Sequence, residues 1–142
     1  MKFILASDIH SNLPALEAFF SYLTSHGLSG EPVFFLGDYV NLGPFPEETV
    51  SLLKTYPAQV FLSGNHDRYI INEHALDHNP YFGSPEGVTH CRWTREQLSP
   101  QSIEWLKNLH TRHRFEALSW KCDLIHDRHG SDEETLDESK ID

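Results

Sequence analysis

Two kinds of hydrophobic pattern alternate along the first half of the chain. The runs Lys2–Ser7, Val33–Leu36 and Val60–Leu62 are short, apolar almost throughout, and end in glycine or polar residues. Continuous rather than alternating apolar positions predict parallel strands buried on both faces. Between the first two runs, Leu13, Leu16, Phe20 and Leu23 recur at helical spacing, with Ser11 or Asn12 placed to cap and Pro14 in the first turn. That helix should stop near Gly27. Between the second and third runs, Pro46-Glu47-Glu48 opens another helix with its acids at the positive end of the helix dipole, and Val50, Leu53 and Tyr56 form its inner stripe. The first part of the chain therefore reads β-α-β-α-β, an α/β protein.

The pattern then weakens. From Asn72 to Gly87 the residues turn to Asn, Asp, His, Pro and Gly, which predicts a loop. Trp93–Leu98, then Ser99-Pro100 followed by Ile103, Leu106 and Leu109, predict two short helices with a cap-and-proline junction. Phe115–Leu118 and Cys122–Ile125 predict one or two short strands turning at Trp120-Lys121. From Ser131 onward no apolar pattern remains, so a domain over residues 1–130 is expected to be followed by a disordered acidic tail, 131–142.

At 142 residues and 39% hydrophobic content, the chain can bury one ordinary core. Its formal charge is -10, and the tail holds half of that with six acids and one lysine. No Lys/Arg cluster offsets the acids, which argues against a nucleic-acid partner held by phosphate neutralisation. Cys91 and Cys122 show no C-x-x-C spacing, so neither a disulfide framework nor a thiolate zinc site is indicated. The first apolar run is too short for a signal sequence or a membrane span. A cytoplasmic protein with no membrane association is the expectation.

The polar residues that end the three strands carry the chemistry. Residues two apart in an extended chain point to one side, so Asp8 and His10 can aim a carboxylate and an imidazole at one ion. After Gly37, which permits a tight turn, Asp38 can bridge two cations through its two oxygens. The third run ends Ser63-Gly64-Asn65-His66-Asp67, a carbonyl, an imidazole and a carboxylate in one turn. The first pair alone also fits a capping acid beside a surface histidine and Gly37-Asp38 alone is a weak signal, whereas the third cluster is rarer. Parallel strands joined by right-handed crossovers, however, bring all three ends to the ligand-binding edge of the sheet, which favours a shared site. His26, His74, His78, His90, His110 and His113 have no such spacing and are read as exposed or hydrogen-bonded.

These blocks, D-x-H, G-D and G-N-H-D, resemble those of the calcineurin-like metallophosphoesterase superfamily. Ser7–Glu17 and Gly37–Pro44 are most similar to its small bacterial members, and the resemblance runs from Met1 to about Leu109. It implies the β-α-β-α-β half of that family's two-sheet sandwich. It further implies that Asp8 and His10 hold a first metal, that Asp38 bridges, and that Asn65 holds a second. His66 would face the substrate, steadying phosphoryl oxygens or protonating the leaving group, with Asp67 orienting its ring. Two divalent transition metal ions (manganese, iron, zinc or nickel) would lie about 3.5–4 Å apart and lower the pKa of a shared water. The family's next block ends in a histidine, for which His126 and His129 are both candidates; a final Gly-His-x-His is absent from these residues, so the second metal site is expected to be only partly furnished. The implied activity is hydrolysis of a small phosphorylated substrate (a phosphomonoester, phosphodiester or nucleotide polyphosphate) by metal-activated hydroxide. The alternative is a non-catalytic metal- or phosphate-binding or interaction protein of the same fold. Because much of the family's second sheet follows these blocks, one sheet face is expected to lack its cover, and a homodimer to supply it.

Overall fold

The computed structural model describes residues 2–72, 74 and 82–127. His78, His129, the boundary expected at 130 and the acidic tail lie outside the described residues. The elements run β1 (Ile4–Ala6), α1 (Leu13–Ser25), β2 (Val33–Phe35), α2 (Pro46–Thr55), β3 (Val60–Phe61), α3 (Asn65–Ile71), α4 (Pro85–Gln97), α5 (Pro100–Lys107), β4 (Arg112–Ala117) and β5 (Trp120–Ile125). Strands β1, β2 and β3 form a parallel sheet in that order, with Ile4 opposite Val33 and Phe34 opposite Val60.

The strand period of two splits the apolar runs between the sheet's faces. Val33 and Phe35, with Ile4, Ala6 and Phe61 beside them, pack on the helices in a core that includes Leu16, Leu23, Val50, Leu53, Ile70 and Leu106. Phe34, Val60 and Leu62 point the other way, where Phe115 and Leu124 cover them. Phe34 stacks on Phe115 with ring centroids 4.8 Å apart. The cover is the antiparallel β4–β5 hairpin, tied to the sheet by the parallel Leu62–His110 bridge and by the Ser63 N–H donating to the His110 carbonyl at 2.7 Å. The expectation of a bare second face is thus corrected over Phe34, Val60 and Leu62, and the dimer loses that part of its premise. Leu5 in β1 and Phe3 just before it stay 46% and 39% exposed.

Local chemistry explains the helices. Asn12 caps α1 by accepting from the Ala15 N–H at 3.1 Å, and Pro14 sits in its first turn. At α5, Ser99 accepts from the Ser102 N–H. Glu47 fastens α2 to the start of α5: its carboxylate accepts from the Ser99 N–H at 2.8 Å and from the Ser99 and Ser102 hydroxyls, each at 3.0 Å. Three boundaries differ from those read in the sequence. Ser63–Asp67 is not a turn alone, since α3 begins at Asn65; α4 begins at Pro85, inside the expected loop, capped by Ser84. The hairpin turns at Leu118-Ser119, and Trp120-Lys121 belongs to β5. Among the described residues, no helix is long and apolar enough to cross a membrane.

Candidate metal centre

The loops that follow β1 and β2 zip together. Asp8, His10 and Ser11 donate their backbone N–H groups to the carbonyls of Gly37, Asp38 and Tyr39 at 3.0, 2.9 and 2.8 Å. The third loop joins through Asp38, whose Oδ1 accepts the His66 N–H of α3 at 2.9 Å. The two short glycine approaches make this possible. A Cβ on Gly37, whose φ is 118°, would stand 2.5 Å from the Gly64 nitrogen, and one on Gly64 would overlap the Asp38 carboxylate.

Asp8, His10 and Asp38 all adopt left-handed backbone conformations, with φ of 59°, 49° and 57°. This corrects the reading that Asp8 and His10 converge because a strand alternates: β1 stops at Ala6, and the pair converges through turns. Non-glycine residues at such φ cost about 1–3 kcal/mol each, a cost that persists where surrounding bonds over-determine it. The paired loops do so here.

The side chains then meet. His10 Nε2 lies 3.6 Å from Asp8 Oδ1 and 3.8 Å from Asp38 Oδ2. His126, just beyond β5, places its Nε2 3.4 Å from Asp38 Oδ2 and 3.1 Å from Asn65 Oδ1. Two clusters of ligand-bearing atoms result, Asp8-Asp38-His126 and His10-Asp38-His66. The loop bearing His126 is anchored by Arg68, whose guanidinium pairs with Asp127 at 2.7 Å. Of the two histidines the sequence offered for this position, His126 is the one seen at the centre; His129 lies outside the described residues.

The donor set suits a cation. Asp8, Asp38 and Asn65 Oδ1 crowd acceptor oxygens into one small region. Both nitrogens of His126 also face acceptors, Nδ1 to the Leu36 carbonyl at 2.9 Å and Nε2 to Asn65 and Asp38. Without a metal, His126 satisfies all of them only as the doubly protonated ring. Burial opposes that charge, but the hydrogen bond and charge of Asp38 prevail and raise its pKa to about 9. The proton on Nε2 occupies the direction in which a cation would bind, while Nδ1–H on a backbone carbonyl is the usual way of orienting a ligating imidazole. For Asp38, burial pushes the pKa up, yet the His126 hydrogen bond and charge hold it below the ordinary carboxylate value.

Asp67 has a different task from the one expected. Fully buried, its Oδ2 accepts from the N–H groups of Asp38 and Gly64, both at 2.9 Å; its Oδ1 accepts from those of Tyr39 at 2.9 Å and Val40 at 3.3 Å. The carboxylate is a clamp on the Gly37–Val40 turn and does not orient His66. Burial and the nearby Asp38 charge raise its pKa to about 7 against the Gly64, Tyr39 and Asp38 donors. The partner of His66 Nδ1 is instead the amide of Asn41, at 3.0 Å. Asn41 is fully buried and was not singled out from the sequence, where an amide between Val40 and Leu42 carries no distinctive spacing.

The chain is similar to known proteins in sequence and in fold. The family model described as calcineurin-like phosphoesterase matches residues 1–138. An uncharacterised protein of Methanocaldococcus jannaschii is 33% identical over 104 residues, which cover 72% of this chain and 40% of that protein. The crystal structure of a metallophosphoesterase from Sphaerobacter thermophilus superposes with a TM-score of 0.60 at 31% identity, over 80% of this chain and 43% of the other. A hypothetical protein of Pyrococcus horikoshii shares the fold with a TM-score of 0.67 at 21% identity, over 84% of this chain and 52% of the other. The chain thus spans between 40% and 52% of the length of these relatives. The match over 1–138, together with the blocks that carry Asp8, Asp38 and Asn65, means that this chain belongs to the calcineurin-like phosphoesterase family.

Proposed function

We propose that this protein hydrolyses a phosphate ester with divalent metal ions held by Asp8, His10, Asp38, Asn65 and His126. The observation that carries the reading is the convergence of these residues from separate loops around Asp38, with His126 Nε2 within 3.4 Å of its carboxylate and His10 Nε2 within 3.8 Å. Bound cations of this kind neutralise phosphoryl charge and acidify a water molecule.

The chain's own residues divide the remaining work. Asp38 reaches both histidines and is the natural bridge, since its Oδ1 is fixed by the His66 N–H while Oδ2 faces His10 and His126. His66 stands edge-on to His10 with ring centroids 4.8 Å apart, so it borders the same cleft. Its role in this reading is to hold a phosphoryl oxygen or leaving group rather than an ion. Oxygen and nitrogen ligands suit manganese, iron, zinc or nickel alike. The substrate class is a small phosphomonoester, phosphodiester or nucleotide polyphosphate.

The test is hydrolysis of a chromogenic phosphate ester with added Mn²⁺ by the wild type, Asp38→Asn and His66→Ala. Loss of activity in Asp38→Asn, together with a fall of about 10²–10⁴-fold in His66→Ala at unchanged metal content, is expected. Equal rates in wild type and Asp38→Asn sink the assignment. A wild type that binds Mn²⁺ but turns over none of the three substrate classes would instead leave a metal-binding protein of this fold.

A further inference from the structure

We propose that the outer face of α4 is the leaving-group subsite of this centre, where Leu42, His90 and Trp93 seat a flat nitrogen heterocycle such as a nucleobase. The proposal rests on the hydrolytic reading above and narrows its substrate to an ester whose alcohol carries such a ring. Both ends of the face tie back to the cleft. At one end the Leu42 N–H donates to His90 Nε2 at 2.8 Å, and their chain neighbours Asn41 and Cys91 meet at 3.2 Å, the same Asn41 amide touching His66. At the other end Pro85 lies just after Phe82, whose ring stands edge-on to His66 at 4.5 Å. Between them runs an open trough of about 540 Å³, lined by Pro85, Glu86, Thr89, His90 and Trp93. Its size falls within the range of roughly 300–1,000 Å³ found for small-molecule sites.

The lining selects the occupant. His90 and Trp93 stack with ring planes 25° apart and centroids at 5.8 Å, and the indole is 38% exposed. Such a wall favours a planar ring over an alkyl chain. A backbone N–H can only donate, so His90 Nε2 is the acceptor of the Leu42 bond and, in the neutral ring, Nδ1 carries the proton. That N–H has no partner among the described residues, and together with the Glu86 carboxylate it supplies a donor and an acceptor to the edge of a ring. None of the five lining residues is lysine or arginine and one is an acid, so the trough suits an uncharged base rather than a further phosphate. Leu42 completes the wall. It is 52% exposed at φ 66°, a left-handed conformation that costs a leucine energy, and its N–H is pinned by both His90 and Asn41 Oδ1, the latter at 3.1 Å. Backbone strain of this kind concentrates where a ligand is held, and here it presents an apolar side chain beside the cleft.

The experiment compares two non-hydrolysable phosphonates with CH₂ in place of the ester oxygen, one carrying ribose and adenine and the other ribose alone. In calorimetric titrations of the Mn²⁺-loaded wild type, the adenine compound should bind more tightly by about 5- to 150-fold, the span of base–aromatic stacking. Trp93→Ala should remove that preference while leaving Mn²⁺ content and affinity for the ribose phosphonate unchanged; Trp93→Phe should keep most of it, and Leu42→Ala should reduce it. Adenosine 5′-phosphate and ribose 5-phosphate share the ester bond and the primary alcohol, so their kcat/KM values should differ in the same ratio. Equal wild-type affinities for the two phosphonates overturn the inference, as does an adenine preference that survives Trp93→Ala. Hydrolysis of both sugar phosphates with equal kcat/KM would likewise remove the subsite and leave the hydrolytic reading standing. A protein that prefers the adenine phosphonate, loses that preference in Trp93→Ala and hydrolyses no ester would keep the ring site and remove the hydrolytic reading.

Discussion

Replacing Asp67 with asparagine separates two roles that its place next to His66 invites one to merge. The side chain keeps its shape, but one of two oxygens becomes an NH₂ group aimed at backbone donors. Losing Oδ1 leaves the N–H groups of Tyr39 and Val40 without an acceptor; losing Oδ2 strands those of Asp38 and Gly64. The longer 3.3 Å bond to Val40 makes the first orientation the cheaper one. A buried donor left unsatisfied costs about 1–3 kcal/mol, so two of them cost about 2–6 kcal/mol, less the relief of removing a buried charge that burial and Asp38 disfavour. That is a large part of the roughly 5–15 kcal/mol by which single domains are stable. Urea unfolding of the metal-free protein at pH 8, above the value of about 7 for Asp67, should show this loss as a lower midpoint at unchanged slope. Were Asp67 mainly an orienting group for His66, Asp67→Asn would retain wild-type stability and lose only turnover. An unchanged midpoint together with wild-type hydrogen exchange at the Tyr39 and Val40 amides would refute the clamp.

Outcomes at three other residues follow from the structure. His126 is held to about 9 in the metal-free protein, so Mn²⁺ must displace a proton at pH 7 and affinity should rise with pH toward 9; calorimetry in buffers of different ionisation enthalpy that detects no proton release would refute this. The same raised value means that the His126–Asp38 pair stabilises the metal-free fold fully below the unfolded histidine value of about 6.5 and loses that contribution as pH rises through about 9. Gly64→Ala forces a methyl into the Asp38 carboxylate and should cost about 1–3 kcal/mol or more, along with Mn²⁺ binding; retained binding by calorimetry would show that the loop yields. Glu47→Ala should destabilise by about 1–3 kcal/mol through the unpaired Ser99 N–H and lost hydroxyl bonds. Because burial raises but these bonds lower the Glu47 pKa overall, its contribution is present above the unfolded value of about 4.3 and fades on further acidification, which thermal melts at pH 3 and pH 7 can read.

The strands and the first two helices were legible because they follow from burial alone. Apolar residues at Val33–Phe35 or at Leu16, Phe20 and Leu23 have few places to go but a sheet or a helix face. Where the chain's conformation depends on distant partners, pattern reading failed. Helix α3 opens on Asn65, His66, Asp67 and Arg68, with no apolar stripe to announce it; its His66 N–H is instead met by Asp38, and the Gly64 N–H just before it by Asp67. The hairpin turn was placed two residues late because Leu118, at φ 58° and 85% exposed, is a residue that local preference argues against in a left-handed turn. What holds it there is the register of β4 against β5, from Ala117 opposite Trp120 to Arg112 opposite Ile125.

The site divides along the same line. Which residues gather was readable, since a carboxylate, an imidazole and an amide oxygen at three successive strand ends leave little else for that edge to do. How they are held was not. Asp67 follows His66 in sequence, and reading the pair as hydrogen-bonded partners assumes a turn in which neighbours can meet. Once Asn65 begins a helix, adjacent residues point about 100° apart, so His66 turns to the cleft and Asp67 to the buried Gly37–Val40 loop. The groups that do face them, Asn41 for His66 and the Asp38, Tyr39 and Val40 N–H groups for Asp67, come from the turn after β2, some 25 residues earlier in the chain. A change of secondary structure at a single position, Asn65, therefore reassigns the supporting roles around the centre. The proper search for the partner of a histidine at a strand-to-helix junction is across the loops of the sheet edge, not one residue further along.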